Sequence, residues 1–170
     1  MKFVMWLVLM ISLPAVASGG PLNLDGLSKE DMTRVMLNVS EEQAYCGALL
    51  RIFAHCANQT EPGAGDQLTI LSDQLIQTGP MLHMFATEFY RRQANPSVTT
   101  MTSSEQEAAL TRANEVFMSK LGQHANEINA EVGSCTNLVA LKRSKISWCR
   151  NTVVGDTDVH MQSWVDELRE

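Results

Sequence analysis

Four cysteines and four histidines are the residues of this chain best suited to chemistry. Cys46 and Cys56 stand ten apart in the stretch AYCGALLRIFAHCANQT, residues 44–60, with His55 beside the second. Cys135 and Cys149 stand fourteen apart further on. Such residues can hold a metal, cycle a redox pair or staple a fold. Zinc sites show close pairs such as Cys-x-x-Cys or His-Glu-x-x-His, haem attachment needs Cys-x-x-Cys-His, and thioredoxin-like chemistry needs Cys-x-x-Cys. None of these patterns occurs here. His55 and Cys56 are only adjacent, and helix neighbours point about 100° apart. His124 with Glu127 comes nearest to a metal pair, but di-iron bundles take a Glu-x-x-His from each of two helices. His124 reads instead as a boundary residue on an apolar stripe. The expectation is therefore no catalytic residue, no metal and no cofactor, in a protein that is not an enzyme.

The staple remains. An even cysteine count in a secreted chain favours disulfides, and four cysteines allow three pairings. Cys46 and Cys56 on one helix lie about 15 Å apart at 1.5 Å rise per residue, beyond bridging distance. Pairing 46–56 with 135–149 is thus excluded if both segments are helical. A nested set, Cys46–Cys149 with Cys56–Cys135, competes with a parallel set, Cys46–Cys135 with Cys56–Cys149. Nearly constant residue-number sums favour the nested set, as antiparallel helices require. So does charge: the segment from Gly133 to Gly155 holds Lys142, Arg143, Lys145 and Arg150 and no acid, and nesting brings Glu41 and Glu42 toward Arg150. Lys142 fits poorly, since it falls near the cysteine face and must snorkel.

Those cysteines need helices to carry them. Ser28 begins a good helix start with acids in its first turn, giving a short leader helix with Met32, Val35 and Met36. Ser40-Glu41-Glu42-Gln43 reads as a capping box opening a second helix to about Asn58, with Leu49, Leu50, Phe53, Cys56 and Ala57 on one face. Pro62-Gly63-Ala64-Gly65 breaks the chain, and Asp66 caps a helix striped by Leu68, Leu71 and Leu75. Thr78-Gly79-Pro80 is expected to kink or interrupt it. Residues 94–103 form the longest internal loop. A second box at Ser104-Glu105-Gln106-Glu107 opens a helix striped by Leu110, Ala113, Phe117, Leu121, His124, Ile128 and Val132, with Gly133 as its stop. A last main helix runs from Cys135 to Cys149 with Leu138, Leu141, Ile146 and Trp148. No strand alternation or repeat appears.

The chain's first residues read as a secretory signal over 1–17: Lys2, an apolar run from Phe3 to Leu13, then Ala15-Val16-Ala17. A spanning helix would need roughly 20 apolar residues. Residues 18–27 look loose, 28–150 form the helical domain, and 151–170 form an acidic tail with a short amphipathic helix bearing Trp164 and Leu168. The formal net charge of −6 gives no support for nucleic-acid binding. Sequons at Asn38-Val39-Ser40 and Asn58-Gln59-Thr60 are expected in surface turns and make a glycoprotein possible in a eukaryotic source; Asn95-Pro96-Ser97 is blocked by its proline. Arg91-Arg92, a dibasic pair of the kind prohormone proteases cut, reads as a helix end.

The fold expectation is all-α: a small secreted antiparallel four-helix bundle, stapled by two disulfides, with a short leader helix and a short C-terminal helix. The functional expectation is a secreted protein, extracellular or periplasmic if bacterial, that signals or binds another protein through its surface. The alternative is an extracellular carrier of a small apolar ligand, lined by Met81, Met84, Phe85 and Phe89, since methionine adapts to varied shapes. Ordinary core is the commoner role for such residues, and it is favoured here.

Overall fold

The computed structural model describes residues 26–94, 101–153 and 157–169. The signal over 1–17, most of the loose segment 18–27 and most of the loop 94–103 lie outside those residues. The described residues form five α-helices and a π-helical turn, with no strand. They are α1 (Lys29–Thr60), α2 (Asp66–Ala94), α3 (Ser103–Val132), α4 (Cys135–Trp148) and α5 (Thr157–Glu167), with the π turn at Cys149–Val153 between the last two.

Leader helix and second helix are one element. Ser28 caps α1 by accepting the Asp31 N–H at 3.0 Å, and Glu30 and Asp31 sit in the first turn, where the helix dipole favours acids. No glycine or proline then interrupts the chain before Gly47. The expected cap at Ser40 is not made. Its buried hydroxyl donates instead to the Gly79 carbonyl at 3.0 Å, and Val35 and Val39 carry an apolar stripe through the site of the expected break. Helix α1 is central: it packs against α2, α3, α4, the π turn and α5.

A turn at Glu61–Gly65 returns the chain beside α1, with Gly63 at φ +87°. A Cβ on Gly65 would lie 2.2 Å from the Ala54 carbonyl oxygen, so only glycine lets the backbones approach this closely. Pro80 does not interrupt α2. Two buried hydroxyls fasten α2 to α1: Ser40 to the Gly79 carbonyl, and Ser72 to the Gly47 carbonyl at 2.9 Å. Gly79 receives the Phe117 ring of α3, which a Cβ there would meet at 2.0 Å.

Helix α3 begins two residues earlier than its sequence signal. Thr102 and Glu105 make the capping box, each side chain serving the other's backbone N–H. Gly133, at φ +67°, ends it with its N–H donating to the Asn129 carbonyl. Ala113, Phe117, Leu121, Ile128 and Val132 are buried as the stripe requires, whereas Leu110 is exposed and Ala109 takes the inner position. In α4, Leu138 and Ile146 are buried, while Leu141 is exposed.

The buried apolar residues form two clusters. The larger joins Leu49, Leu50, Leu75, Phe117, Ile128, Leu138 and both α1 cysteines. The smaller joins Val35 and Val39 of α1 to Val165 of α5, with Leu27, Leu82, Met161, Trp164 and Leu168 packed against them. The amphipathic tail helix is therefore docked on α1.

Candidate interaction surfaces

Cys46 is bonded to Cys149 and Cys56 to Cys135, with Cα–Cα distances of 5.3 and 5.4 Å. This is the nested arrangement. The helical spans differ by about 6 Å, and two links of this length can take up the difference by slanting. Their surroundings differ. Cys46 and Cys149 are wholly buried, whereas Cys135 is partly exposed and Cys56 lies at the core's edge. The Cys135 sulfur sits 3.6 Å from the Gln59 side-chain oxygen. The Gln59 amide nitrogen is 2.9 Å from His55 Nε2, on the exposed side of α1.

Two grooves flank the Cys56–Cys135 bond. One, of about 580 Å³, is lined by Arg51, Ile52, His55, Gln59, Asn129 and Val132 together with both cysteines. The other, of about 360 Å³, is lined by Phe53, Ala57, Thr60, Ala64 and Val139, again with both cysteines.

The charge argument for nesting does not describe the contacts made. Glu41 Oε1 lies 3.1 Å from Lys120 Nζ and 3.2 Å from His124 Nε2, rather than near Arg150. The His124 approach is close but is not an aligned hydrogen bond, and the buried Nε2 has no hydrogen-bond partner. His124 Nδ1 meets Glu127 at 3.2 Å, and the ring stands edge-on to Tyr45. Hydrogen bonds from Gln123 and then His124 hold the exposed Glu127 carboxyl below its ordinary range. Glu42 accepts from Trp164 Nε1 at 2.9 Å and meets His160 Nε2, whose ring packs edge-on to Trp148. This contact joins the tail to α1 and was not legible in the sequence. Lys142 keeps a mostly buried stem and carries its ammonium to Glu131, and that hydrogen bond raises its pKa. His83 is shifted down, chiefly by burial, with Glu41 opposing. Among the described residues, no three of His, Cys, Asp or Glu are placed to hold a metal ion.

Met81 and Phe85 are 40% and 51% exposed, and Met84 is half-buried. Phe89 lies in α2, but its side chain is outside the described set. Met81, Met84 and Phe85 line neither groove, nor the small cavity of about 200 Å³ between Leu37, Ala44, His83 and Phe117. Neither sequon asparagine sits in a turn. Asn38 is half-buried inside α1. Asn58 is exposed in its last turns, its Oδ1 accepting the Gly65 N–H at 2.7 Å. Arg91 pairs with Glu88 at 2.9 Å. No described helix is long and apolar enough to cross a membrane.

Ile70, also 56% exposed, shares a face of α2 with Met81 and Phe85: at 100° per residue the three fall within about 60°. Gln74, Gln77 and Thr78 lie between them, all exposed. No ionisable side chain stands on that stripe before Glu88. Compared with protein-family models, curated proteins and solved structures, the chain matches none.

Proposed function

We propose that this chain is a secreted, antiparallel, disulfide-stapled helical bundle that binds another protein through its surface and does no chemistry on it. The observation that carries the reading is the uncharged outer stripe of α2, with Ile70, Met81 and Phe85 all exposed. Met81 and Phe85, one turn apart, make the contiguous apolar part of that face, and contiguous exposed apolar surface marks interaction sites more often than scattered single residues do. Aromatic and methionine side chains are the types enriched in the buried centres of interfaces. The two disulfides fit an oxidising compartment, and the signal-like residues 1–17 fit export to the extracellular space or periplasm. Exposure of Met81 and Phe85 favours a protein partner over a small apolar ligand held in a pocket.

The partner expected is an extracellular or cell-surface protein with a complementary apolar patch. The test is a binding screen of the purified chain against displayed extracellular proteins, repeated with Phe85→Asp and with Leu110→Asp. Both residues are exposed, so both variants should fold. A hot spot at Phe85 would weaken the specific complex by about thirtyfold or more on substitution, while Leu110→Asp leaves it unchanged. Partners indifferent to Phe85→Asp, or no partner at micromolar concentration, would overturn the reading.

A further inference from the structure

We propose that the Cys56–Cys135 disulfide is a thiol-exchange site, opened by external thiols while Cys46–Cys149 stays closed. The inference stands apart from the partner-binding reading and depends only on the surroundings of the two bonds. Exchange requires a thiolate to reach a disulfide sulfur. The sulfurs of Cys46 and Cys149 are sealed in the core, with both residues 0% exposed. Cys135 is instead partly exposed, Cys56 is 9% exposed at the core's edge, and both line the two grooves.

The two sulfurs are also unequal. Cys135 is the first residue of the fourteen-residue helix α4. Ser134 makes no side-chain cap there, its hydroxyl bonding to Thr136 Oγ1 at 2.9 Å, and no acid occupies the first turn. The Asn137 N–H is taken by the Ser134 carbonyl, but the N–H groups of Cys135 and Thr136 and the positive end of the helix dipole can stabilise a thiolate at Cys135. Cys56 lies near the C-terminal end of α1, where the dipole has the opposite sign. The sulfur of lower pKa is the better leaving group.

The step is as follows. An external thiolate attacks Cys56 Sγ, the Cys56–Cys135 bond breaks, and its electron pair leaves on Cys135 Sγ. The new bond joins Cys56 to the external sulfur. A second external thiolate attacks that external sulfur, releases Cys56 as a thiolate and forms the external disulfide. Two thiols are oxidised and one protein disulfide is reduced.

The test treats the folded, oxidised chain with graded reduced glutathione and, in a parallel arm, with a Cys-x-x-Cys dithiol protein. Acid quenching, alkylation and non-reducing peptide mapping follow, with helicity read by circular dichroism. The expected result is a glutathione adduct on Cys56, alkylated Cys135, an intact Cys46–Cys149 link and retained helicity. Opening in either arm supports the site, and the dithiol arm tells whether a protein thiol can also reach it. Ser134→Asp, which sets a negative charge beside the leaving sulfur, should slow opening about threefold. Adducts on Cys135, opening of Cys46–Cys149 at equal or lower thiol, a pair closed in both arms until the helices melt, or an unchanged rate in Ser134→Asp would each overturn the proposal.

Discussion

Glycines show how far one missing carbon decides packing. A Cβ on Gly79 would stand 2.0 Å from the Phe117 ring, and one on Gly65 would stand 2.2 Å from a backbone oxygen. A Cβ on Gly122, inside α3, would meet nothing within 4 Å. The same substitution should therefore act with opposite signs. Gly79→Ala should destabilise by about 1–3 kcal/mol, the usual range for overpacking, because Phe117 must turn away. Gly65→Ala should do at least as much harm, since a carbonyl cannot swing aside as a ring can. Gly122→Ala should stabilise by about 0.5–1 kcal/mol, as an open helical position gains from alanine's lower backbone entropy. Urea unfolding of the three variants, with unchanged m-values, checks the ordering; a neutral Gly79→Ala would show that the ring does not hold this contact. In the sequence Gly65 reads only as part of a chain break and Gly79 as part of an expected kink. Which glycine faces a neighbour is a tertiary fact, and neither composition nor periodicity carries it.

Elements were legible where the signal is repeated and obscure where it rests on one residue. The α3 stripe recurs every three or four positions, and the structure buries most of it. The Ser40 box is a four-residue signal, and it yields because the hydroxyl finds the Gly79 carbonyl, 39 residues away, and α1 continues. Pro80 similarly sits inside α2 without ending it. For α5 the sequence offers Trp164 and Leu168 as a face to dock on the bundle or on a partner, without choosing between them or naming the residues that receive it. The docking joins Glu42 to His160 and Trp164 over sequence separations of 118 and 122. That contact should be measurable. Val165 is fully buried between α5 and α1, and Val165→Ala should lower stability by about 2 kcal/mol, from lost apolar burial and the cavity left behind. Glu42→Gln keeps the shape but removes the charge from two hydrogen bonds, each typically contributing about 1.5–3 kcal/mol when charged. Both contacts go to one oxygen of Glu42, so the glutamine carbonyl oxygen can take that place and the charge is what is lost. Both variants should shift Trp164 emission to longer wavelength at urea concentrations that leave the circular dichroism unchanged, because the tail separates first. A single transition common to both probes would mean that α5 belongs to the same cooperative unit as the rest.

At the scale of the molecule, the two disulfides act on one another through the unfolded chain. Each closes a long loop when alone, with sequence separations of 103 and 79. With its partner already formed, either bond closes only the short circuit through residues 46–56 and 135–149, about two dozen residues. Loop-closure entropy then makes each bond worth about 3.5 kcal/mol when the other is present and about 4.6 kcal/mol when it is absent. A double-mutant cycle with Cys46→Ala/Cys149→Ala and Cys56→Ala/Cys135→Ala should therefore be non-additive. Removing a given bond should cost about 1 kcal/mol more when the other is already gone than when it is intact. The sealed bond adds a complication of its own, because losing Cys46–Cys149 also opens a core cavity. The excess should nevertheless appear in both orders, since the cavity term is common to both legs of the cycle. Additivity would mean that the unfolded chain keeps these helices together without the bonds, placing the stapling effect in the native state. The pairing itself was readable because helical rise forbids the local bonds and antiparallel register favours the nested ones. Their unequal exposure was not, since it depends on the packed core closing over Cys46–Cys149 while two grooves reach Cys56–Cys135.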